Sequence, residues 1–263
     1  MPGEAIALKP FGWAMIDLAH PQLAGCRAWW PMWEGGGSLI HDVVGGAPHL
    51  GTFEATTGTP VWTPGRDGTV IGFDGVDDTI TTPFSDALVN FTCTAWFLAR
   101  SVKNYGRIFD KNYSSGFWLG RDASNANQWG GGVKEGAPPY GRFVTLTDGV
   151  WHHIATVRSG TTHTIYGDGG VVSVSGSVTD APMDNDSAQF GDNHTFDTPF
   201  DGLISDVRIY NRALSLAEIQ DIMNNPWAPV IGEEASGAWL SSIPGGGRHS
   251  PPAHMSLGLG MAI

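Results

Sequence analysis

Aspartates cluster in segments that read as loops or strand ends: Asp42, Asp74, Asp77, Asp78, Asp192, Asp201 and Asp206. Calcium takes roughly six to eight hard oxygens, and gathered loop carboxylates supply them. Asp74, Asp77, Asp201 and Asp206 are the candidate set for a structural calcium, the one cofactor the residues suggest. A local alternative competes: Asp74 and Asp201 each precede a glycine and can simply shape Asp-Gly turns. Asp206 lies two residues before Arg208 and can pair with it along one strand face. The pair His152-His153 invites a zinc reading, but adjacent strand residues point to opposite faces and cannot share one ion without a bulge. The expectation is one histidine packed inside and one facing solvent. No nucleophile elbow supports a Ser-His-Asp arrangement. A sugar face stacks on an aromatic ring with polar neighbours. Tyr113, Trp118, Trp129 and Tyr140, in or near "KNYSSGFWLG" and "NANQWGGG", are the candidate glycan contacts, with core packing as the competing use of the two tryptophans.

The elements that must hold these groups are short strands. "NFTCTAWFLAR" alternates, "RIFDKNYSSGFWLGRD" reads as a hairpin, and "VWHHIATVRSGTTHTIYGDGGVVSVSG" reads as three strands with a tight turn at Asp168-Gly169. In "DGLISDVRIY" the alternation places Leu203, Ser205, Val207 and Ile209 on one face and Ile204, Asp206, Arg208 and Tyr210 on the other. The chain then switches period. Ser215 and Glu218 form a capping box, Leu214 and Ile219 flank it, and Asn224, Asn225 and Pro226 end the helix, predicted over 216–224. No fixed-period repeat indicates a propeller or solenoid. The expected fold class is all-β: a two-sheet antiparallel jelly-roll sandwich with one short C-terminal helix and extended terminal arms. The expected organisation is an N-terminal arm over 1–22, one domain over 23–226, and a Gly/Pro-rich C-terminal arm over 227–263.

The segments "LAGCRAWWPMWEGGG", "GFDGVDDTITTP", "FTCTAWFLA", "DGVWHHIATVR", "TIYGDGGVV" and "DGLISDVRIYNRALSLAEIQ" follow one another in the order of the laminin-G-like, concanavalin A-like jelly-roll family. The chain resembles that family over roughly residues 23–225. The resemblance implies two antiparallel sheets face to face, closed by a strand and a short helix. It also implies a calcium near a sheet edge, as similar domains often hold. Ser205 stands where many relatives carry an acidic residue, and Asp168 where an Asn is usual. Retaining glycosidases on a related jelly roll carry Glu-x-Asp-x-x-Glu. That pattern is absent here, so no enzyme activity is expected. Fold alone does not choose among glycan binders, adhesion modules and viral structural proteins.

A net charge of −12 argues against a nucleic-acid partner. No apolar run reaches the roughly 20 residues of a membrane helix. "MPGEAIALKPFGW" lacks a basic segment followed by an apolar core, so no signal peptide is expected. Cys26 and Cys93 fit buried thiols, with a single disulfide left open. Both arms are rich in Gly, Pro and apolar residues, which suits docking onto neighbours. Trp227, Trp239, Leu240, Leu257 and Leu259 are the expected anchors of the C-terminal arm. These features, with an opening "IDLAHPQLAGCRAWWPMWEGGG" that resembles those of laminin-G-like proteins carried by phages, lead to the expectation of a non-enzymatic virion protein of a tailed phage: a capsid decoration, head-fibre or tail-associated subunit. It would be made in the host cytoplasm, form a homo-oligomer or bind other virion proteins such as capsid, and contact cell-surface glycans. The alternative is an extracellular carbohydrate-binding or adhesion module.

Overall fold

The structure, a computed structural model, describes residues 15–231 apart from 46–48, 55–58, 102, 113–115, 123–126, 134–140, 179–185 and 194–196. The strands run β1 (Met15–Ile16), β2 (Cys26–Trp30), β3 (Leu39–Ile40), β4 (Gly51–Glu54), β5 (Val61–Pro64), β6 (Thr69–Asp74), β7 (Thr79–Thr82), β8 (Phe91–Ala99) and β9 (Arg107–Lys111). They continue as β10 (Phe117–Arg121), β11 (Gln128–Val133), β12 (Arg142–Thr145), β13 (His152–Ser159), β14 (Thr162–Gly167), β15 (Val172–Ser177), β16 (Ala188–Phe190), β17 (Asp201–Tyr210) and β18 (Val230–Ile231). One sheet has the order β12-β11-β10-β9-β16-β7-β4-β3. The second has the order β15-β14-β13-β8-β17-β6-β5, with β2 also pairing β17. Every described pairing is antiparallel, which is the expected sandwich.

Alternation along β8 explains the layering. Phe91, Cys93, Ala95, Phe97 and Ala99 enter the main core between the sheets, where Trp30, Phe73, Phe109, Phe190 and Ile204 also pack. Thr92, Thr94 and Trp96 face the other side. There the helix α1 (Leu216–Asn224) lays Ile219 and Ile222 on Ala155, Val157 and Tyr210. Its capping box forms as expected: the Ser215 hydroxyl accepts from Glu218 N, and the Glu218 carboxylate accepts from Ser215 N. No described helix is long and apolar enough to cross a membrane.

Three expectations are corrected here. First, β17 does not alternate throughout. Asp206 takes φ +49°, and the register with β8 shifts between Ser205 and Arg208. This bulge puts Ile204 in the same core as Val207 and Ile209, instead of on the opposite face. Second, the domain does not end at Pro226. Trp227 is buried against Trp29 and Leu23, with Trp33 packed beside them, and Val230–Ile231 pairs with Met15–Ile16. The described part of the C-terminal arm is therefore part of the fold, and Trp227 anchors it within its own chain. Third, the described end of the N-terminal arm is also docked. Gln22 is buried, and its Nε2 donates to Asp221 Oδ2 at 2.8 Å and to Asn225 O at 3.1 Å. Trp239, Leu240, Leu257 and Leu259 lie outside the described residues.

Candidate functional site

β6 and β7 follow each other in sequence but belong to different sheets. The turn between them, Asp74 to Asp78, thus crosses the rim of the sandwich. Gly75, at φ +74°, makes the sharp bend; a Cβ there would sit 2.6 Å from Asp201 Cβ. Asp74 Oδ1 accepts from Val76 N at 2.8 Å, and Asp78 Oδ2 accepts from Asp74 N at 2.8 Å. The turn folds back on itself, so Asp74, Asp77 and Asp78 each present a carboxylate oxygen, all within 4.8 Å of one another. Asp77 Oδ2 and Asp78 Oδ1 are buried and have no hydrogen-bond partner. Asp78 is only 4% exposed, and its pKa is raised by burial and further by its neighbours Asp74 and Asp77. Buried anionic oxygens without donors are costly unless something neutralises them. Three clustered carboxylates, hard and anionic, fit a calcium ion.

The other candidate ligands divide. Asp201 sits opposite Asp74 in the β6–β17 register, so it borders the same turn. It is already engaged: one oxygen accepts from Ser101 Oγ, and the other lies 3.8 Å from Arg100 Nη1. Asp206 is elsewhere. It accepts from Trp29 Nε1 at 2.6 Å and from Arg208 Nε at 2.9 Å, both buried. That is the sequence-level Asp206–Arg208 pairing, and it leaves Asp206 outside any cluster with Asp74 and Asp77. Asp78 belongs in the set in its place; its close spacing to Asp74 and Asp77 was the available signal. Nearby, Asp192 Oδ1 accepts from Thr198 N at 2.8 Å, while its Oδ2 is buried without a partner.

The aromatic candidates also separate. Trp129 is 1% exposed and packs on Phe97 and Phe200. Trp118 is 4% exposed: Arg107 stacks on its ring 3.9 Å from the centroid, and its Nε1 would lie 2.6 Å from a Cβ on Gly132. Both rings are sequestered, so neither offers a free face to a sugar. Sequence could not show this, because the glycines that make room for Trp118 lie on another strand. Tyr113 and Tyr140 lie outside the described residues.

The two histidines do point apart, but neither faces solvent. His152 Nδ1 is 2.9 Å from Asp168 Oδ2, and its Nε2 is 2.8 Å from Thr147 O. Burial opposes charge on His152, yet the hydrogen bond and charge of Asp168 outweigh it and raise its pKa. His153 is fully buried against Trp96, and burial lowers its pKa to about 4. Cys26 and Cys93 are both free thiols.

The concanavalin A-like lectin/glucanases family model matches residues 74–220, more than half of the chain. The chain belongs to this superfamily. No curated protein sequence matches it. Among solved structures, this superfamily member is similar to domain 4 of AbnA, a GH43 extracellular arabinanase from Geobacillus stearothermophilus, in complex with arabinotriose. The TM-score is 0.62 at 20% identity, over 75% of this chain and 98% of that one. It is also similar to the binding domain of Paraclostridial Mosquitocidal Protein 1, with a TM-score of 0.60 at 17% identity, over 78% of this chain and 53% of that one. Trypanosoma rangeli sialidase in complex with sialic acid gives a TM-score of 0.56 at 17% identity, over 78% of this chain and 33% of that one. The chain thus spans about half of the toxin domain's structure and a third of the sialidase's. At these identities the likeness is one of fold.

Proposed function

We propose that the protein is a non-catalytic recognition module that holds calcium at the Asp74-Asp77-Asp78 turn and binds a glycan at the same rim. The observation that carries this reading is the convergence of three carboxylates with two buried, unpartnered oxygens where the chain crosses between sheets. Asp74, Asp77 and Asp78 would hold the ion, with main-chain carbonyls and water completing its shell. Bound calcium supplies positive charge that neutralises the turn and a hard centre that accepts sugar hydroxyls.

The non-catalytic part rests on the absence of a Glu-x-Asp-x-x-Glu pattern and on three carboxylates outside the turn being engaged. Glycoside hydrolysis needs two carboxyl groups facing each other across a cleft, one of them free to move a proton. Asp206 is paired with Arg208, Asp148 with Arg121 and Asp201 with Ser101. Glycan binding is favoured by a neighbour: domain 4 of the arabinanase is described with arabinotriose bound. Two assays test the reading. Calcium should bind stoichiometrically by titration calorimetry and raise the melting temperature. Arabinan and β-glucan should release no reducing ends. Turnover that vanishes in Asp77→Asn or Asp78→Asn would overturn the non-catalytic reading.

A second reading, a subunit of a tailed-phage virion, is favoured by one relationship. Met15 pairs with Ile231, so the two ends of the described chain lie side by side. The flanking sequences before Met15 and after Ile231 are apolar and rich in Gly and Pro, a composition that suits fastening the module to a particle or to a second copy. Truncation after Ile231 tests this: the domain should fold and lose oligomerisation or particle incorporation. Unchanged assembly would refute it.

A further inference from the structure

The two large sheets end in the strands β12, β3, β15 and β5. Sheet edges are kept from pairing with other chains by shortness, proline or charge. β3 has two residues, β5 ends in Pro64, and β12 carries Arg142. β15, "VSVSGS", has six residues and none of these devices, and no charged residue occurs from Gly169 to Val178. The ladder shows which of its groups face outward. Val178 N donates to Thr161 O at 2.8 Å. Hydrogen-bonded pairs alternate along an antiparallel ladder. In the β14–β15 register, Val172, Val174 and Gly176 therefore bond β14, and the peptide groups of Ser173, Ser175 and Ser177 point to the free edge. Ser177 O agrees with this phase, because it accepts from Arg142 Nη2 at 2.8 Å. All three serines are exposed. Arg142 also fills the space beside Gly176, where a Cβ would lie 2.1 Å from its Nε, so the strand is held in place from within its own domain. Among the described residues no strand pairs with the outer side of β15.

We propose that β15 pairs antiparallel with β15 of a second copy, joining the second sheets of two molecules into one. The choice of partner follows from the strand itself. A two-fold axis through Ser175 sets its peptide group against that of Ser175 of the second copy, and Ser173 against Ser177 of the second copy, so outward donors meet outward acceptors. The same register sets Val172 against Val178 and Val174 against Gly176, apolar on apolar along the other face of the strand. Charge points the same way. Copies of a chain with net charge −12 repel one another across acidic surfaces, and this neutral edge lets two of them meet without like charges. Strand addition takes its affinity from main-chain hydrogen bonds, so it needs neither a cavity nor an ion. The contact lies at the opposite end of the sheet from β6, and so away from the Asp74-Asp77-Asp78 turn.

The test is sedimentation equilibrium of the full chain over a range of concentrations. The parent should move from 28.0 kDa towards twice that mass as concentration rises. Ser175→Pro removes an outward N–H at the axis and keeps the bonds to β14, so it should melt like the parent and weaken the dimer roughly tenfold or more. Ser175→Glu sets like charges together at the axis and should do the same, which keeps the test open where the proline variant fails to fold. Ser175→Cys should form a disulfide-linked dimer under mild oxidation far faster than Ser173→Cys, because only residue 175 meets itself across the axis. A parent that stays monomeric at every concentration would overturn the inference, as would Ser175→Pro and Ser175→Glu proteins that dimerise like the parent. A dimer that survives both substitutions and is lost on truncation after Ile231 would overturn it too, by placing the contact in the flanking sequences.

Discussion

The indole of Trp227 stacks on that of Trp29, with ring centroids 6.1 Å apart and planes 19° from parallel, and its Nε1 donates to Asp67 Oδ2 at 3.1 Å. Residues from three distant parts of the chain meet there, so the segment past the helix closes the outer face of the second sheet. Trp227→Ala should cost about 3–5 kcal/mol, the usual range for removing a buried large aromatic. A chain ending at Pro226 should melt well below one ending at Ile231 in calorimetry. Equal melting temperatures for the two truncations would show that the stack is dispensable.

Arg208 ties the same region together. Its guanidinium lies 4.1 Å from the Trp29 ring centroid, bonds Asp206, donates to Gln22 Oε1 at 3.2 Å, and donates to the Pro226 carbonyl. Arg208→Ala leaves Asp206 buried beside an empty space, and breaking such a pair costs about 3–5 kcal/mol. Arg208→Met combined with Asp206→Asn removes both charges and should recover part of that loss in urea denaturation. A single substitution within about 1 kcal/mol of the parent contradicts this role.

Stability should fall in mild acid because of buried neutral histidines. Burial lowers the pKa of His153 to about 4, with Arg208 and Arg66 also disfavouring its charge against Asp206 and Asp168. Burial likewise lowers His163, to about 3, helped by Arg142 and Arg158. A depressed folded-state pKa means that the unfolded chain binds protons first. The stabilisation is complete above the ordinary histidine pKa of about 6.5 and is lost as the pH falls from there towards 4. His152, raised by Asp168, acts in the opposite sense and in a different window, losing its contribution as the pH rises above 6.5. Denaturation midpoints should therefore drop between about pH 6.5 and 4.5, and His153→Phe should flatten that slope. An identical slope in the variant would remove His153 from the explanation.

Much of the fold was legible because local pattern and global packing agree. The capping box at Ser215 and Glu218, the alternation in β8 and the turn at Asp168-Gly169 all form as their residues dictate. The break came at Asp206, where the left-handed backbone inserts a bulge that no two-residue period reveals. The boundary at Pro226 misled for a different reason. A helix stop signal ends a helix, not a domain, and the partners of Trp227 are Trp29, Trp33 and Asp67, far away in sequence. At the site, the sequence picked out Asp74 and Asp77 but joined them to Asp201 and Asp206 instead of Asp78, because only the folded turn brings Asp78 beside them; the burial of Trp118 and Trp129 likewise depends on which neighbours tertiary structure supplies.

The central claim, that the Asp74-Asp77-Asp78 turn is a calcium site, is tested most directly by melting temperature in saturating calcium against excess EGTA, for the parent and for Asp78→Asn. An ion that binds only the folded state stabilises it by about 2.7 kcal/mol at a hundredfold excess over its dissociation constant. The parent should therefore melt higher with calcium than with EGTA, and Asp78→Asn should show no such rise. In EGTA the variant should melt at or above the parent, because it removes a buried carboxylate that its neighbours repel. A parent indifferent to calcium, or an Asp78→Asn protein that responds as fully as the parent, contradicts the claim.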